Sequence, residues 1–160
     1  MNDHYAKNFL TSVIFRVDFS PILKIDNELP AELQDEIRTD FPEYKKEENI
    51  TQKTIVNSNG IRLEKPDIHN IYIFSDIRKK KIFRVQYNYI SLENKNYQSF
   101  SDFKDDNKKL YNIFSQKYRP LDIKRIGLRY INEIVIMNGN PLDHSKLSES
   151  IITGNPFIHS

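Results

Sequence analysis

The chain has 160 residues, 38% of them hydrophobic and 12% aromatic, with a formal charge of +2 and no cysteine. That describes one ordinary domain able to bury a core without crosslinks, and it excludes a disulfide framework, thiolate metal sites and a cysteine nucleophile. A charge so near balance does not imply a polyanionic partner, so only local clusters of like charge bear on that question. The first residues, MNDHYAKNFLTSVIF, lack a basic stretch followed by an apolar run and a small-residue cleavage site. No apolar run approaches the roughly 20 residues needed to cross a bilayer. The expectation is a cytoplasmic protein with no membrane partner.

Asn8 to Ser20 is the first strand candidate, with Leu10, Phe15, Val17 and Phe19 as its apolar positions and Arg16 and Asp18 alternating with the last three. Ser12, Val13 and Ile14 blur the phase, which suggests a bulge near the start. Pro21 ends the alternation. Pro30 to Ile37 reads as a short helix, with proline near its first turn and acids following. Leu33, Ile37 and Phe41 give it one apolar stripe, and Pro42 closes it. The next seven residues, EYKKEEN, read as a solvated loop.

Two short strands, Ile50 to Val56 and Ile61 to Glu64, flank Asn57-Ser58-Asn59-Gly60, whose Asn-Gly pair is a strong hairpin signal. Ile71 to Ser75 is another strand, and the Asp76 to Lys81 turn leads into a strand over Ile82 to Leu92. There Phe83, Val85, Tyr87 and Tyr89 would share one face, with Arg84, Gln86 and Asn88 on the other. A second helix follows, capped by Ser99 or Ser101 and favoured by Asp102, Asp105 and Asp106 near its start. Phe103, Asn107, Leu110, Tyr111, Phe114 and Tyr118 form its stripe, and Pro120 stops it.

The longest period-2 run lies within Lys117 to Met137 and is the expected centre of the fold. It sets Ile126, Leu128, Tyr130, Ile134 and Ile136 on a core face, with Arg125, Arg129 and Glu133 on the reverse face and Gly127 between the two arginines. Asn138 to Pro141 is a turn, and Asp143 to Ile152 reads as a weak helix before a tail that frays. The expected class is α+β: an antiparallel sheet with two helices packed on one face. Two wirings fit, a ferredoxin-like variant with an inserted hairpin and a half-open barrel. Residues 1–137 form the domain, and 138–160 are a C-terminal extension.

Catalytic templates fail in turn. His4, His69, His144 and His159 show no ligand spacing, which argues against a metal, and the four isolated glycines build no phosphate loop. No G-x-S-x-G elbow is present. The reading is therefore a non-enzyme without cofactor. The candidate ligand-binding set is Arg125, Arg129, Arg84 and Gly127 on the polar sheet face, with Tyr72 or Phe74 at its edge. The glycine leaves a shallow place where a phosphate, nucleotide or nucleic acid could approach. The competing reading is a solvated face in which these charges pair with Asp18 or Glu64. Arg78, Lys79, Lys80 and Lys81 form a basic loop, either a phosphate grip or a solubilising hairpin tip. The Phe103–Tyr118 stripe is read as core, with a partner groove as its other reading.

The segment Arg125-Ile126-Gly127-Leu128-Arg129-Tyr130-Ile131-Asn132 resembles the signature of a sporadically distributed prokaryotic family of uncharacterised proteins. Family members also carry an N-terminal strand like Val13-Ile14-Phe15-Arg16-Val17 and a Tyr-x-Ser-Phe-x-x-Phe stretch, here Tyr97 to Phe103. The resemblance spans about Tyr5 to Met137 and likens the chain to an N-terminal half of longer members. It implies a prokaryotic origin and a plausible link to defence or mobile elements, and it assigns no catalytic residue. The expected activity is that of a binding or protein-interaction module that meets a protein partner or self-associates into an oligomer. Phosphate, nucleotide or RNA binding is the alternative.

Overall fold

A computed structural model describes residues 10–52, 54–57, 60–63 and 65–133. Its elements are β1 (Leu10–Phe19), α1 (Leu23–Asn27), α2 (Ala31–Ile37), β2 (Glu43–Thr51), β3 (Thr54–Asn57), β4 (Gly60–Leu63), β5 (Asp67–Ser75), β6 (Lys81–Gln86), β7 (Tyr89–Asn94), α3 (Phe100–Tyr118) and β8 (Ile123–Asn132). Six strands make one open antiparallel sheet in the order β2-β5-β6-β7-β1-β8, and β3 pairs with β4 as a separate hairpin. The class is α+β. The strands β8-β1-β7-β6 have the split βαβ wiring of a ferredoxin-like sheet, with β1 lying between the two strands that α3 connects. The β2 and β5 pair is the insertion, added outside β6. The sheet does not close, because β2 and β8 stand at opposite edges.

Several local expectations change. EYKKEEN is part of β2, an edge strand exposed along all 9 residues and paired with β5 from Glu43↔Ser75 to Thr51↔Asp67. An edge strand can be held by its backbone ladder alone, so its side chains need no apolar face. The single strand expected over Ile82 to Leu92 is two strands. The chain reverses at Tyr87-Asn88, pairing Gln86 with Tyr89, which moves Tyr89 to the opposite face from the one its alternation implies. A third helix, α1, also joins the layer. Asp26 fixes it to β5: its carboxylate lies 2.6 Å from His69 Nδ1 and accepts the Asn70 N–H at 3.1 Å, while the His69 ring stacks on Tyr87.

The three helices pack on one face of the sheet. Val13, Phe74, Phe83, Val85 and Leu92 from the strands meet Ile25, Leu33, Ile37, Phe103 and Phe114 from the helices, all at most 2% exposed. Phe19 packs on Phe114 at 5.3 Å between ring centres, and Phe41 on Phe83 at 6.3 Å. Ser99 caps α3 by accepting the Asp102 N–H, and Arg119 closes it in the left-handed region (φ 46°) ahead of Pro120. Lys117 then ties α3 to Glu32 and Glu36 of α2. This pairing and the aromatic contacts hold α3 over the middle of the sheet, inside the β8 edge.

A bulge does occur near the start of β1, at Thr11, whose hydroxyl donates to the Ile131 carbonyl. A second bulge at Lys124 keeps Ile123 opposite Phe19. Between the two the register is regular: Val13↔Tyr130, Phe15↔Leu128 and Val17↔Ile126 on the helix side, Ile14↔Arg129, Arg16↔Gly127 and Asp18↔Arg125 on the other. The expected core role of β8 is not met among the described residues. Ile126 is 65% exposed, Leu128 43% and Tyr130 47%. Ile134 and Ile136, expected to share that core face, lie outside the described residues, as does the helix expected over Asp143 to Ile152.

Candidate functional site: the free edge of the sheet and its apolar groove

The helix-free face carries the expected arginines. In register across the strands, Arg84 stands beside Ser91, Ser91 beside Arg16, and Arg16 beside Gly127. Arg84 therefore lies three strands from Gly127, roughly 14 Å away at ordinary strand spacing, and is not on the neighbouring strand. Its guanidinium contacts Glu93 at 3.0 Å. Arg125 contacts Asp18 at 2.8 Å, and Asp18 also holds Arg16 at 2.6 Å. Arg16 in turn stacks over the Tyr89 ring. Arg129 makes no ion pair among the described residues. Tyr72 and Phe74 do not border this face; they are buried on the helix side.

Burial pushes the Asp18 carboxyl upward, but hydrogen bonds from Arg16 and Arg125 outweigh it and hold the group below its usual value of 3.8. A depressed carboxylate stabilises the fold fully above its unfolded value and loses that contribution as pH falls through the folded one. Asp18→Asn is expected to lower stability by roughly 1–2 kcal/mol at pH 7. In urea titrations at several pH values, the gap from wild type should close as pH drops below about 3.8.

Gly127 sits in regular register, and a Cβ built there meets nothing within 4 Å. Neither a bulge nor a neighbouring side chain requires glycine at this position. Gly127→Ala should stabilise the strand by about 0.5–1 kcal/mol, measured as a raised urea midpoint, since mid-strand glycine loses more backbone entropy on folding.

The basic loop is a hairpin tip. Lys79 takes a left-handed conformation (φ 53°), the Asp76 carboxylate accepts the Lys81 N–H, and Lys81 Nζ reaches Asp106 of α3 at 2.5 Å. One of its four cations is thus committed to holding the hairpin against the helix. Arg78, Lys79 and Lys80 make no ion pair among the described residues. The loop joins β5 to β6, so β1, β7 and β6 lie between it and the β8 edge.

The other side of β8 carries the feature that periodicity alone did not place. A groove of about 350 Å³ runs between β8 and the N-terminal half of α3. Its walls are Phe15 and Val17 of β1, Ile123, Ile126 and Leu128 of β8, and Phe103 of α3. Phe100, Lys104 and Lys108, spaced four apart, add a second stripe of α3 beside its core stripe. No carboxylate lines the groove, and neither Lys104 nor Lys108 has an ion pair among the described residues. By contrast Lys109 and Lys117, on the other side of α3, pair with Asp40 and with Glu32 and Glu36.

The two edges of the sheet differ in kind. On the helix side, β2 presents Tyr44, Lys46, Glu48 and Ile50, a row whose middle is charged, as suits an exposed edge, and whose ends are apolar. β8 presents Ile126, Leu128 and Tyr130, an apolar row. Its outer side pairs with no strand among the described residues.

No family model, curated protein or solved structure matches this chain. The site is read from its own chemistry. No group of three or more His, Asp or Glu side chains is placed to hold a metal among the described residues. The Asp26–His69 contact is used in anchoring α1. No helix of the described residues is long and apolar enough to cross a membrane. Among the described residues, what the β8 edge offers is a backbone ladder open on one side, an apolar groove beneath it and cations at the rim.

Proposed function

We propose that the protein is a non-enzymatic interaction module of a prokaryotic cytoplasm, whose β8 edge receives an extended segment of a protein partner. The supporting observation is the exposure of Ile126, Leu128 and Tyr130 beside an edge on which no strand lies among the described residues. A strand added there would bond to the open backbone, and its alternate side chains would enter the groove. Lys104, Lys108 and Arg129, which make no ion pair among the described residues, favour a segment that interleaves apolar and acidic residues. The resemblance of Arg125–Asn132 to a prokaryotic signature, with its link to defence or mobile elements, belongs to the same proposal.

The test is selection of a random peptide library against the full chain, with Leu128→Asp as the counter-target. Enriched peptides should alternate apolar and acidic residues and bind wild type alone. Recovery of the same peptides by both proteins, or of none, would overturn the reading. A second reading, anion binding over Gly127, rests on the open space there and on Arg129. It predicts salt-dependent binding of nucleotides or RNA that Arg129→Ala weakens; no binding at low salt eliminates it.

A further inference from the structure

We infer that the helix-free face of β8 also reads the docked strand, and that the partner carries an aromatic residue opposite Gly127 and a carboxylate opposite Arg129. This deepens the docking reading above and rests on it. A strand laid along β8 turns alternate side chains to opposite faces. Those on the helix side enter the groove beside Ile126 and Leu128, and the others lie beside Arg125, Gly127 and Arg129. The second set meets chemistry that the groove does not have.

Gly127 is a gap between two arginines. Among the described residues, a Cβ built there meets nothing within 4 Å, and the glycine itself is only half-buried. Arg16 stands directly opposite on β1 but is drawn the other way. Its Nε contacts Asp18 at 2.6 Å, and its guanidinium sits 3.7 Å over the Tyr89 ring of β7. Arg125 is likewise drawn inward by Asp18, at 2.8 Å. The space over Gly127 is thus left open from the β1 side, and a side chain arriving from the outer side is placed to fill it. Directly opposite residues have Cβ atoms about 4.5–5.5 Å apart, a distance that an aromatic ring spans. Laid over the glycine, the ring covers backbone that faces water in the free strand, which offsets the weakness of a glycine there. The arginines on either side suit a ring as well, because guanidinium groups favour aromatic faces.

The two arginines differ, and the difference gives the site a direction. Arg125 is neutralised by Asp18, whereas Arg129 makes no ion pair among the described residues. A partner carboxylate is therefore favoured opposite Arg129 rather than opposite Arg125. Every neighbouring pair of strands in this sheet is antiparallel, and antiparallel pairing is the more stable per residue. A partner in that sense places the residue opposite Arg129 two positions before the one opposite Gly127. The residues opposite Leu128 and Ile126 face the groove and are apolar. In chain order the partner reads acid, apolar, aromatic, apolar. A second copy of β8 does not fit this pattern. Paired antiparallel about Gly127, it would set Arg125 of each chain against Arg129 of the other, and like charges directly opposite are destabilising.

The test is a random peptide library selected in parallel on the full 160-residue chain and on its Gly127→Val variant. Peptides enriched on wild type should carry Phe, Tyr or Trp two residues after an acid, with apolar residues between and after. In Gly127→Val a branched side chain that suits a strand fills the space, so selection should keep the apolar positions and lose the aromatic one. A synthetic peptide of the selected sequence should bind Gly127→Val at least about tenfold more weakly than wild type. Its aromatic-to-Ala version should bind the two proteins equally. Replacing its acid with Gln should weaken binding to wild type and leave binding to Arg129→Gln unchanged. Peptides that bind wild type and Gly127→Val alike, yet fail on Leu128→Asp, would overturn the inference and leave the docking reading standing. No enriched peptide, or full binding to Leu128→Asp, would remove the docking site and this inference with it. Adenosine monophosphate that binds wild type and not Gly127→Val, with no aromatic enriched among the peptides, would give the space to anion binding and overturn the inference too.

Discussion

Phe114→Ala is expected to lower the stability of the domain by about 3–5 kcal/mol, read as a fall in the urea midpoint with little change in slope. Phe114 is fully buried and packs on Phe19 of β1 at 5.3 Å and on Tyr118 at 5.0 Å. Its ring is therefore the contact that presses α3 onto the centre of the sheet, and truncation leaves a cavity between two rigid layers that cannot readily collapse. Leu128→Ala is the control. Leu128 keeps 43% of its surface in water, so the same kind of truncation should cost less than about 1 kcal/mol, because little transfer energy and little cavity are involved. A Leu128→Ala loss near that of Phe114→Ala would mean that β8 is covered and that its apolar row is core.

The contrast between these residues also marks what a sequence can express. Phe114 lies on a stripe with Phe103, Asn107 and Leu110, and a helix displays its buried face locally, through spacing alone. Leu128 lies on an alternation equally clear, yet alternation states only which residues share a face. Whether that face is covered depends on where α3 comes to rest, and that is decided by Phe19–Phe114 and by Lys117 reaching Glu32 and Glu36. β2 makes the converse case: nothing in EYKKEEN signals a strand, because an edge strand held by backbone bonds to β5 needs no pattern in its side chains. The Tyr87-Asn88 reversal was hidden for a different reason. Alternation reads unbroken across a two-residue turn, so QYNYI looks like one strand although it joins two.

The candidate site divides along the same line. Arg125, Gly127 and Arg129 share a face because they are two apart on a strand, and that much is local. That Arg125 is engaged by Asp18 follows from the β1–β8 register, and that Arg84 stands three strands away follows from sheet order; both are non-local. The groove is wholly non-local. Phe15, Phe103 and Leu128 come from three distant segments, and only the position of β8 at the edge leaves a gap between them.

Leu128→Asp is the substitution that separates a docking strand from a structural one. In the free protein a carboxylate at this position has water available and Lys104 and Lys108 across the groove, so global stability should fall by no more than about 1–1.5 kcal/mol. With a peptide seated in the groove the same carboxylate is shut off from water against Phe15, Val17 and Phe103, where an unpaired charge is strongly disfavoured. Affinity for a selected peptide should therefore drop at least about 100-fold, equivalent to 2.7 kcal/mol or more, while circular dichroism is unchanged and the urea midpoint falls by no more than that smaller stability loss implies. Lys104→Glu tests the other half of the recognition. It leaves the apolar walls intact, so it should weaken acidic peptides mainly through slower association and remove much of their salt dependence. If Leu128→Asp lowered stability by several kcal/mol instead, the apolar row of β8 would be serving the chain's own core, and the free edge would carry no partner.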